Sequence, residues 1–223
     1  MLAILLPDLS VYSLPMTHLS IFSHELDQKF RTLSRVALIA HKLPDGDALG
    51  SLEGLRKLLN LNYPSLQVSV VVPPEKISDS HVTWVLDATV DDIPDVELVI
   101  VVDTSVWSRT ALENIPQPVS ILSIDHHELQ PGSIPGYLDI DSPSASIVIT
   151  DIARELGWKF SPAAATALLL GIYTDTGGFI HRNTTQRAFE AASFLMSEGA
   201  EQSRIAIETF GNYTLEYLHD LGR

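Results

Sequence analysis

Short apolar runs that end in aspartate or histidine limit what this chain can fold into. The run from Val36 ends at His41, and a Pro-Asp-Gly-Asp turn containing Asp45 and Asp47 follows it. Such a run has the length of one buried strand, and the proline and glycine after it predict a turn into a helix. An unpaired charge at the end of a buried strand is costly, so folding alone does not explain this pattern.

Three later segments repeat the pattern of an apolar run closed by acidic or histidine side chains. If the strands are parallel neighbours, these side chains meet at the sheet edge where ligands bind in open parallel sheets. The segments are Glu97 to Asp103; Val119 to His127, which closes with Asp125, His126 and His127; and Ala163 to Tyr173, which is followed by Asp175.

The rest of the chain alternates helical and strand patterns. Apolar spacing from Leu19 to Leu33 predicts an amphipathic helix before the first strand. The alternation predicts an α/β fold, with a mainly parallel β-sheet flanked by helices on both faces. The other predicted elements are a helix to Leu59, a strand Leu66–Val72, a short helix and loop over 75–95, a helix Val106–Leu112, an edge strand Leu138–Asp141, a helix Ser144–Leu156, a helix from Pro162, a helix from Thr184 or Thr185 to Glu198, and a C-terminal helix Gln202–Leu221.

In their order along the chain, the acidic and histidine motifs resemble those of the DHH phosphoesterase family. The resemblance is closest to the nanoRNase and pAp phosphatase branch, and it runs from Val36 to the C-terminus. It implies a DHH domain and a RecJ-like phosphoesterase that hydrolyses short oligoribonucleotides or nucleoside phosphates. The four motifs read His41-x-x-x-Asp45-x-Asp47, the single Asp103, Asp125-His126-His127 and Asp175-Thr-Gly.

The resemblance also implies a site for two divalent metal ions. Two ions about 3.5 to 4 Å apart can activate water and stabilise the charge of a phosphoryl transition state. Carboxylate and imidazole ligands without sulfur suit Mn²⁺, with Mg²⁺ a weaker fit because of the histidines. The implied ligands are His41 and Asp45 for one ion, Asp47, His126 and Asp175 for the other, and Asp103 shared between them.

Four further side chains are candidates for catalysis or substrate binding. His127 is expected to face the substrate phosphate, where it can protonate the leaving group or stabilise charge. Asp125 is expected to orient a histidine through a hydrogen bond. His181 and Arg182 follow the fourth motif, where relatives carry aromatic or basic groups near the substrate.

Charge narrows the class of partner. The chain has 14 Lys plus Arg against 28 Asp plus Glu, which gives a formal net charge of -14. A protein that tracks a long polynucleotide needs a basic groove, and the sequence contains no basic cluster. We therefore expect a short anionic nucleotide as substrate, no long duplex nucleic acid and no membrane. The absence of cysteine and of a signal or membrane-spanning segment predicts a cytoplasmic protein.

The expected organisation is an N-terminal extension and helix over 1–34, a metal-binding catalytic domain over 35–200 and a helical linker over 201–223. The family's full enzymes carry a second, glycine-rich substrate domain after the linker, and this sequence contains no such segment. Either the chain is a fragment, or the metal domain works alone as a homo-oligomer. Two alternatives stay open: a low-activity nucleotide-binding or regulatory module, and another hydrolase of the family, such as an inorganic pyrophosphatase or single-strand exonuclease.

Overall fold

The computed structural model describes residues 16–72, 82–87, 89–90, 92–110, 112 and 119–210. Residues 1–15 of the predicted N-terminal extension and 211–223 of the predicted linker therefore lie outside the described residues. The division at residues 34 and 200 stays a prediction. In the part of the chain that the structure describes, no helix is both long and apolar enough to cross a membrane.

In the described part of the chain, five parallel strands form one sheet, in the order β2-β1-β3-β4-β5. The chain leaves β1 towards β2 and then returns to place β3 on the other side of β1. In such a sheet the connections diverge where the order reverses, and the crevice between them is the usual ligand site. Here that crevice lies at the carboxyl ends of β1 and β3. The strands are β1 Arg35–Ile39, β2 Gln67–Val71, β3 Leu98–Val102, β4 Ser120–Asp125 and β5 Gly136–Leu138.

Both faces of the sheet are buried. Leu38 and Ile100 pack into a large cluster with side chains of the helices, whereas Ala37 and Val99 belong to a smaller cluster on the other face. Alternate residues of a strand point to opposite faces, so the continuous apolar runs are explained by burial on both sides. The predicted α/β fold with a parallel sheet is confirmed.

Six α-helices of the described residues pack around the large cluster. Serine caps begin two of them: Ser144 Oγ accepts the Ile147 N–H at 3.2 Å, and Ser161 Oγ accepts the Ala164 N–H at 3.2 Å. Pro162 occupies the first turn of its helix, where a missing N–H has no cost. The helices are α1 Met16–Phe30, α2 Gly46–Asn62, α3 Ala145–Glu155, α4 Pro162–Asp175, α5 Gln186–Ser197 and α6 Gln202–Phe210.

The covering of the second face differs from the prediction. The helix expected over Val106–Leu112 is a 3-10 turn, Trp107–Arg109. The Thr110 hydroxyl donates to the Trp107 carbonyl at 2.8 Å, and Thr110 forms an antiparallel bridge with His41, so the backbone is extended there. Among the described residues, loops and this turn pack on the second face, and the six α-helices pack on the first.

The edge strand was predicted two residues too late. It covers Gly136–Leu138, because Asp139 already belongs to a turn. The Asp139 carbonyl accepts the Ser142 N–H at 3.0 Å, and its side chain accepts the Asp141 N–H at 3.2 Å. The polar residues of the expected strand therefore form the connection to α3.

Helices α2 and α4 pack antiparallel at very short distance. Gly46, Gly50 and Gly54 form one stripe of α2, and a Cβ atom placed on Gly50 would lie 2.4 Å from the Ala167 carbonyl oxygen. A Cβ on Gly46 would similarly meet Thr174, near the end of α4. The stripe thus brings the start of α2 and the end of α4 to the same edge of the sheet.

Gly50→Ala should destabilise the protein by about 1 to 3 kcal/mol, because the added methyl group meets backbone atoms that can move only with the helix. Urea unfolding measures the loss. Asn60→Ala, at an exposed position of the same helix, is the control and should change stability by less than about 0.5 kcal/mol. Equal stability of Gly50→Ala and wild type would contradict the close helix contact.

Candidate metal centre

Asp103 lies at the centre of the site. It follows β3 in a left-handed backbone conformation (φ 57°) and its side chain is only 3% exposed. One carboxylate oxygen, Oδ2, lies 3.2 Å from His41 Nε2, and the other, Oδ1, lies 3.2 Å from His126 Nε2. A non-glycine residue with positive φ is strained, and such strain is concentrated at functional sites. The two distances show that the two oxygens of Asp103 face two different histidines.

The first group of metal-ligand atoms joins His41, Asp45 and Asp103. The His41 imidazole approaches Asp45 Oδ1 at 3.8 Å. The same oxygen caps α2, since it accepts the N–H groups of Asp47 at 3.1 Å and Ala48 at 3.0 Å. Asp45 is the most exposed of these ligands, with 60% of its side chain accessible.

The second group joins Asp47, His126 and Asp175. His126 Nε2 lies 3.6 Å from Asp175 Oδ2 and 3.9 Å from Asp47 Oδ2. Since His126 Nε2 also approaches Asp103, this imidazole faces three carboxylates. The structure thus brings all six predicted ligands together in two groups that Asp103 connects, and their role as ligands stays a prediction.

His127 and Asp125 form a pair beside these groups. Asp125 Oδ1 lies 2.8 Å from His127 Nδ1 and accepts the backbone N–H groups of His126 and His127. His127 Nδ1 is also 3.8 Å from Asp103 Oδ1, so His127 forms a third candidate group with Asp103 and His126. The expected orientation of a histidine by Asp125 is therefore found at His127.

The first turn of α3 holds Asp47. Asp47 Oδ2 accepts the Ala145 N–H at 2.6 Å, and Oδ1 accepts the Ser146 N–H at 3.0 Å. Free N–H groups at a helix N-terminus favour a carboxylate. Gly171 leaves the space for this contact, because a Cβ there would lie 2.5 Å from Asp47 Oδ1. These contacts were not foreseen from the sequence, which predicted only a helix over Ser144–Leu156.

The loop before α3 also positions the other two members of the second group. The Ser142 carbonyl lies 3.2 Å from His126 Nδ1, which directs Nε2 towards the carboxylates. The Asn183 amide donates to the Asp175 carbonyl at 3.1 Å and to the Pro143 carbonyl at 3.5 Å. Residues 142–146 thus support the whole second group, mainly through backbone atoms.

A tight turn follows Asp175. Phe179 has a positive φ of 69°, and its N–H donates to Thr176 Oγ1 at 3.1 Å. The Phe179 ring stacks on Phe189 at 5.1 Å between ring centroids. Two glycines with positive φ precede Phe179, and Gly177 is needed because a Cβ there would lie 2.3 Å from His181 Nε2.

The two predicted substrate residues after the fourth motif, His181 and Arg182, differ from each other in their contacts. His181 Nδ1 lies 3.3 Å from the Asp175 carbonyl, so this exposed imidazole stands beside the ligand groups. Arg182 is exposed and forms no salt bridge with a described residue. Their roles in substrate binding stay predictions.

Burial and the neighbouring carboxylates shift the pKa values of the site, in opposite directions at the histidines and in the same direction at Asp47 and Asp175. Burial would lower the pKa of both histidines, but Asp103 and Asp45 raise the pKa of His41 to about 9, and Asp103 and Asp47 raise that of His126 to about 10. Burial, together with Asp103, raises the pKa of Asp175 to about 6. Burial and the nearby Asp103 also raise the pKa of Asp47. Without a metal, the site therefore binds protons in place of cations.

The donor set fits divalent cations. Asp103 Oδ1 is buried and makes no hydrogen bond, although His126 is near it. Among the described residues, no lysine or arginine forms a salt bridge with Asp45, Asp47, Asp103 or Asp175, so only histidines balance these carboxylates. Oxygen and imidazole donors suit hard and intermediate divalent ions. The residues can hold such ions, and the geometry does not select one metal.

The fold and the donor set together define an α/β domain with a metal site at the point where the strand order reverses. The DHH family, N-terminal domain, matches residues 35–172. The chain therefore belongs to the DHH family of phosphoesterases, and the resemblance of its motifs is confirmed.

Curated relatives support the same branch. The chain is 30% identical over 182 residues to the bifunctional oligoribonuclease and PAP phosphatase NrnA of Mycoplasma pneumoniae, covering 77% of this chain and 55% of that protein. It is 34% identical over 174 residues to the probable NrnA of Streptococcus mutans, covering 75% of this chain and 54% of that protein. The chain thus spans about half the length of these relatives.

A solved structure shares the fold. An exopolyphosphatase-related protein from Bacteroides fragilis superposes with a TM-score of 0.76 at 21% identity, covering 91% of this chain and 64% of that one. At this level of identity the similarity concerns the fold alone. It confirms the α/β architecture.

Metal-free protein should lose stability as the pH rises from about 6.5 to 9. Both His41 and His126 have pKa values above the ordinary 6.5, so the folded state binds more protons than the unfolded state in this window. Thermal melting in EDTA measures the fall. Saturating Mn²⁺ should reduce this loss of melting temperature, because cations replace the protons. In EDTA, His126→Asn should also reduce the loss. A melting temperature that rises with pH in EDTA would contradict the assigned environment.

Ser144→Ala should weaken metal binding through the first turn of α3. Loss of either serine cap, Ser144 or Ser161, should cost about 1 kcal/mol of stability. Only Ser144 caps the turn that holds Asp47, so only Ser144→Ala should lower Mn²⁺ affinity, by roughly tenfold. Isothermal titration calorimetry with Mn²⁺ compares the two variants. Equal affinities would show that the cap does not position Asp47.

Proposed function

We propose that this protein is a metal-dependent phosphoesterase that hydrolyses short oligoribonucleotides or nucleoside phosphates such as pAp by a two-metal mechanism. The observation that carries the proposal is the position of Asp103, whose two oxygens each lie 3.2 Å from a histidine of a different ligand group. A carboxylate in this position can bridge two ions. The curated relatives named as oligoribonuclease and PAP phosphatase support the substrate class.

The residues would hold two cations in unequal surroundings. His41 and Asp45 would hold one ion, Asp47, His126 and Asp175 the other, and Asp103 both. When bound, such ions would supply a hydroxide nucleophile and counter-charge for the phosphoryl oxygens. We prefer Mn²⁺ to Mg²⁺, because imidazole is a poorer ligand for Mg²⁺.

His127 is the proposed proton donor. Asp125 Oδ1 faces Nδ1 of His127 at 2.8 Å, and Nε2 has no hydrogen-bond partner among the described residues. A carboxylate that accepts from Nδ1 fixes the tautomer and orients the ring. The 41% exposure of the His127 side chain lets Nε2 reach a substrate. In this role His127 protonates the leaving oxygen, and Asp125 keeps the imidazole in place.

Charge supports a short substrate. The net charge of -14 disfavours a long polynucleotide, which would release too few counterions to compensate for the repulsion. A mononucleotide or dinucleotide brings only one or two phosphates to the carboxyl edge of the sheet. Bound cations would make that edge locally positive. The pattern of charge therefore fits pAp and dinucleotides.

Asp103→Asn should abolish hydrolysis and keep the fold. The change is nearly isosteric and removes one charge from a crowded apo site. Mn²⁺-dependent hydrolysis of bis-p-nitrophenyl phosphate, pAp and the dinucleotide ApA measures the effect, and Asp141→Asn, an exposed aspartate, is the control with normal activity. Activity of Asp103→Asn within tenfold of wild type would mean that another group bridges. A wild-type protein that binds nucleotide and Mn²⁺ without hydrolysis would instead favour the regulatory alternative.

A further inference from the structure

Arg187 stands at a position where its own helix does not favour a cation. It is the second residue of α5, Gln186–Ser197. The N-terminus of a helix carries partial positive charge, so a positive side chain in the first turn is unfavourable unless it has partners elsewhere. The reason for an arginine here therefore lies in the contacts that it makes with other elements.

The guanidinium of Arg187 lies between two carboxylates. Its Nε and Nη2 lie 2.8 and 2.7 Å from Asp151 Oδ2, and its Nη1 donates to Asp139 Oδ2 at 2.7 Å. Asp151 belongs to α3, and Asp139 directly follows β5. The Arg187 side chain is 31% exposed, and those of Asp139 and Asp151 are 17% and 18% exposed. Arg187 thus joins α5, α3 and the connection after β5 in one partly buried triad.

Stability alone is a weak reason for this triad. Burial raises the pKa of Asp151 above its ordinary value, although Arg187 lies beside it. A buried ion pair often contributes no more stability than apolar residues of the same volume, because both charges lose their water. A guanidinium does fix geometry, since its donors form a rigid planar fork. The triad is therefore better explained by the segments that it holds in place.

Asp139 connects the triad to the metal centre. Its N–H donates to the Asp125 carbonyl at 3.0 Å, and its own carbonyl accepts the Ser142 N–H at 3.0 Å. The Ser142 carbonyl lies 3.2 Å from His126 Nδ1. Two polar contacts thus separate Asp139 from the His126 ring, and one separates it from the backbone of Asp125.

The two helices of the triad also carry contacts of the second ligand group. The first turn of α3 holds Asp47 through two backbone N–H groups. Asn183, just before α5, donates to the Asp175 carbonyl at 3.1 Å. The supports of all three ligands of this group therefore lie on the segments that the triad joins.

We propose that Arg187 is a positioning residue for the second ligand group, because it fixes the connection after β5 against α3 and α5. It acts through Asp139 and Asp151, and the backbone around them supports the ligands. Loss of such an outer support lowers metal affinity, typically by about 10- to 100-fold. The inference rests on the proposed function, because it takes this group to bind a divalent cation.

Isothermal titration calorimetry with Mn²⁺ tests the proposal. Arg187→Ala should weaken the binding of one of the two ions at least tenfold, and Asp139→Asn should weaken the same ion. If Arg187 acts through Asp139, the double variant should bind no more weakly than Arg187→Ala, within about threefold. Arg187→Lys keeps the charge but lacks the planar fork, so it should restore only part of the affinity. Asp139→Asn carries the same comparison if Arg187→Ala does not fold.

Arg56→Ala is the matched control. Arg56 also bridges two carboxylates, those of Glu53 and Asp87. Among the described residues, the side chains of these three form no salt bridge with any of the six ligands. Arg56→Ala should therefore leave Mn²⁺ affinity unchanged within about threefold. Equal affinities of Arg187→Ala and Arg56→Ala would overturn the proposal.

The His126 ring provides a readout that needs neither metal nor turnover. In EDTA, long-range ¹H–¹⁵N NMR spectra report the hydrogen bonding of Nδ1, which faces the Ser142 carbonyl. Arg187→Ala and Asp139→Asn should shift this resonance, and Arg56→Ala should not. An unchanged resonance in the first two variants would overturn the proposal. A wild-type protein that binds no Mn²⁺ would contradict the proposed function, and the His126 resonance would still decide the role of Arg187.

Discussion

The buried carboxylates at the carboxyl edge of the sheet repel one another, and the rest of the site has to offset this repulsion. Asp103 is almost fully buried, and Asp47 and Asp175 lie close enough to raise each other's cost of ionisation. Among the described residues of the metal-free protein, histidines, chiefly His41 and His126, offset this charge. Divalent cations would relieve the same repulsion, so the arrangement that disfavours the empty site favours metal binding.

The fold brings these carboxylates together through backbone packing. The glycine stripe of α2 lets α4 approach until a Cβ on Gly50 would overlap the Ala167 carbonyl. This contact places Asp47, at the start of α2, near Asp175, at the end of α4. A site built from helix ends is positioned by the packing of whole helices, so a change in the core affects the ligands directly.

The two ligand groups differ in how firmly they are held. Residues 142–146 contact Asp47 and His126 directly and Asp175 through Asn183. In the other group, Asp45 is exposed, and its Oδ1 accepts the hydrogen bonds that cap α2. Ligands fixed by outer hydrogen bonds lose less freedom when a metal binds. The second group is therefore the more preorganised of the two.

Much of the fold was readable from the sequence, because strand periodicity, helix caps and the residues that end a strand are local properties. The predicted strands before His41 and Asp103 are found, and so is the helix predicted over Ser144–Leu156. The expected helix over Val106–Leu112 was wrong, because the pairing of Thr110 with His41 imposes an extended backbone that its own apolar pattern does not reveal.

The sequence by itself determined which residue types stand at the ends of the strands, and hence the chemistry available to the site. Only the tertiary structure decided which of them meet. Asp47 contacts Ala145 and Ser146 nearly a hundred residues away. His41 pairs with Thr110 through one antiparallel bridge. Such contacts depend on strand order and helix packing, which arise from the burial of the whole apolar surface and not from any one segment.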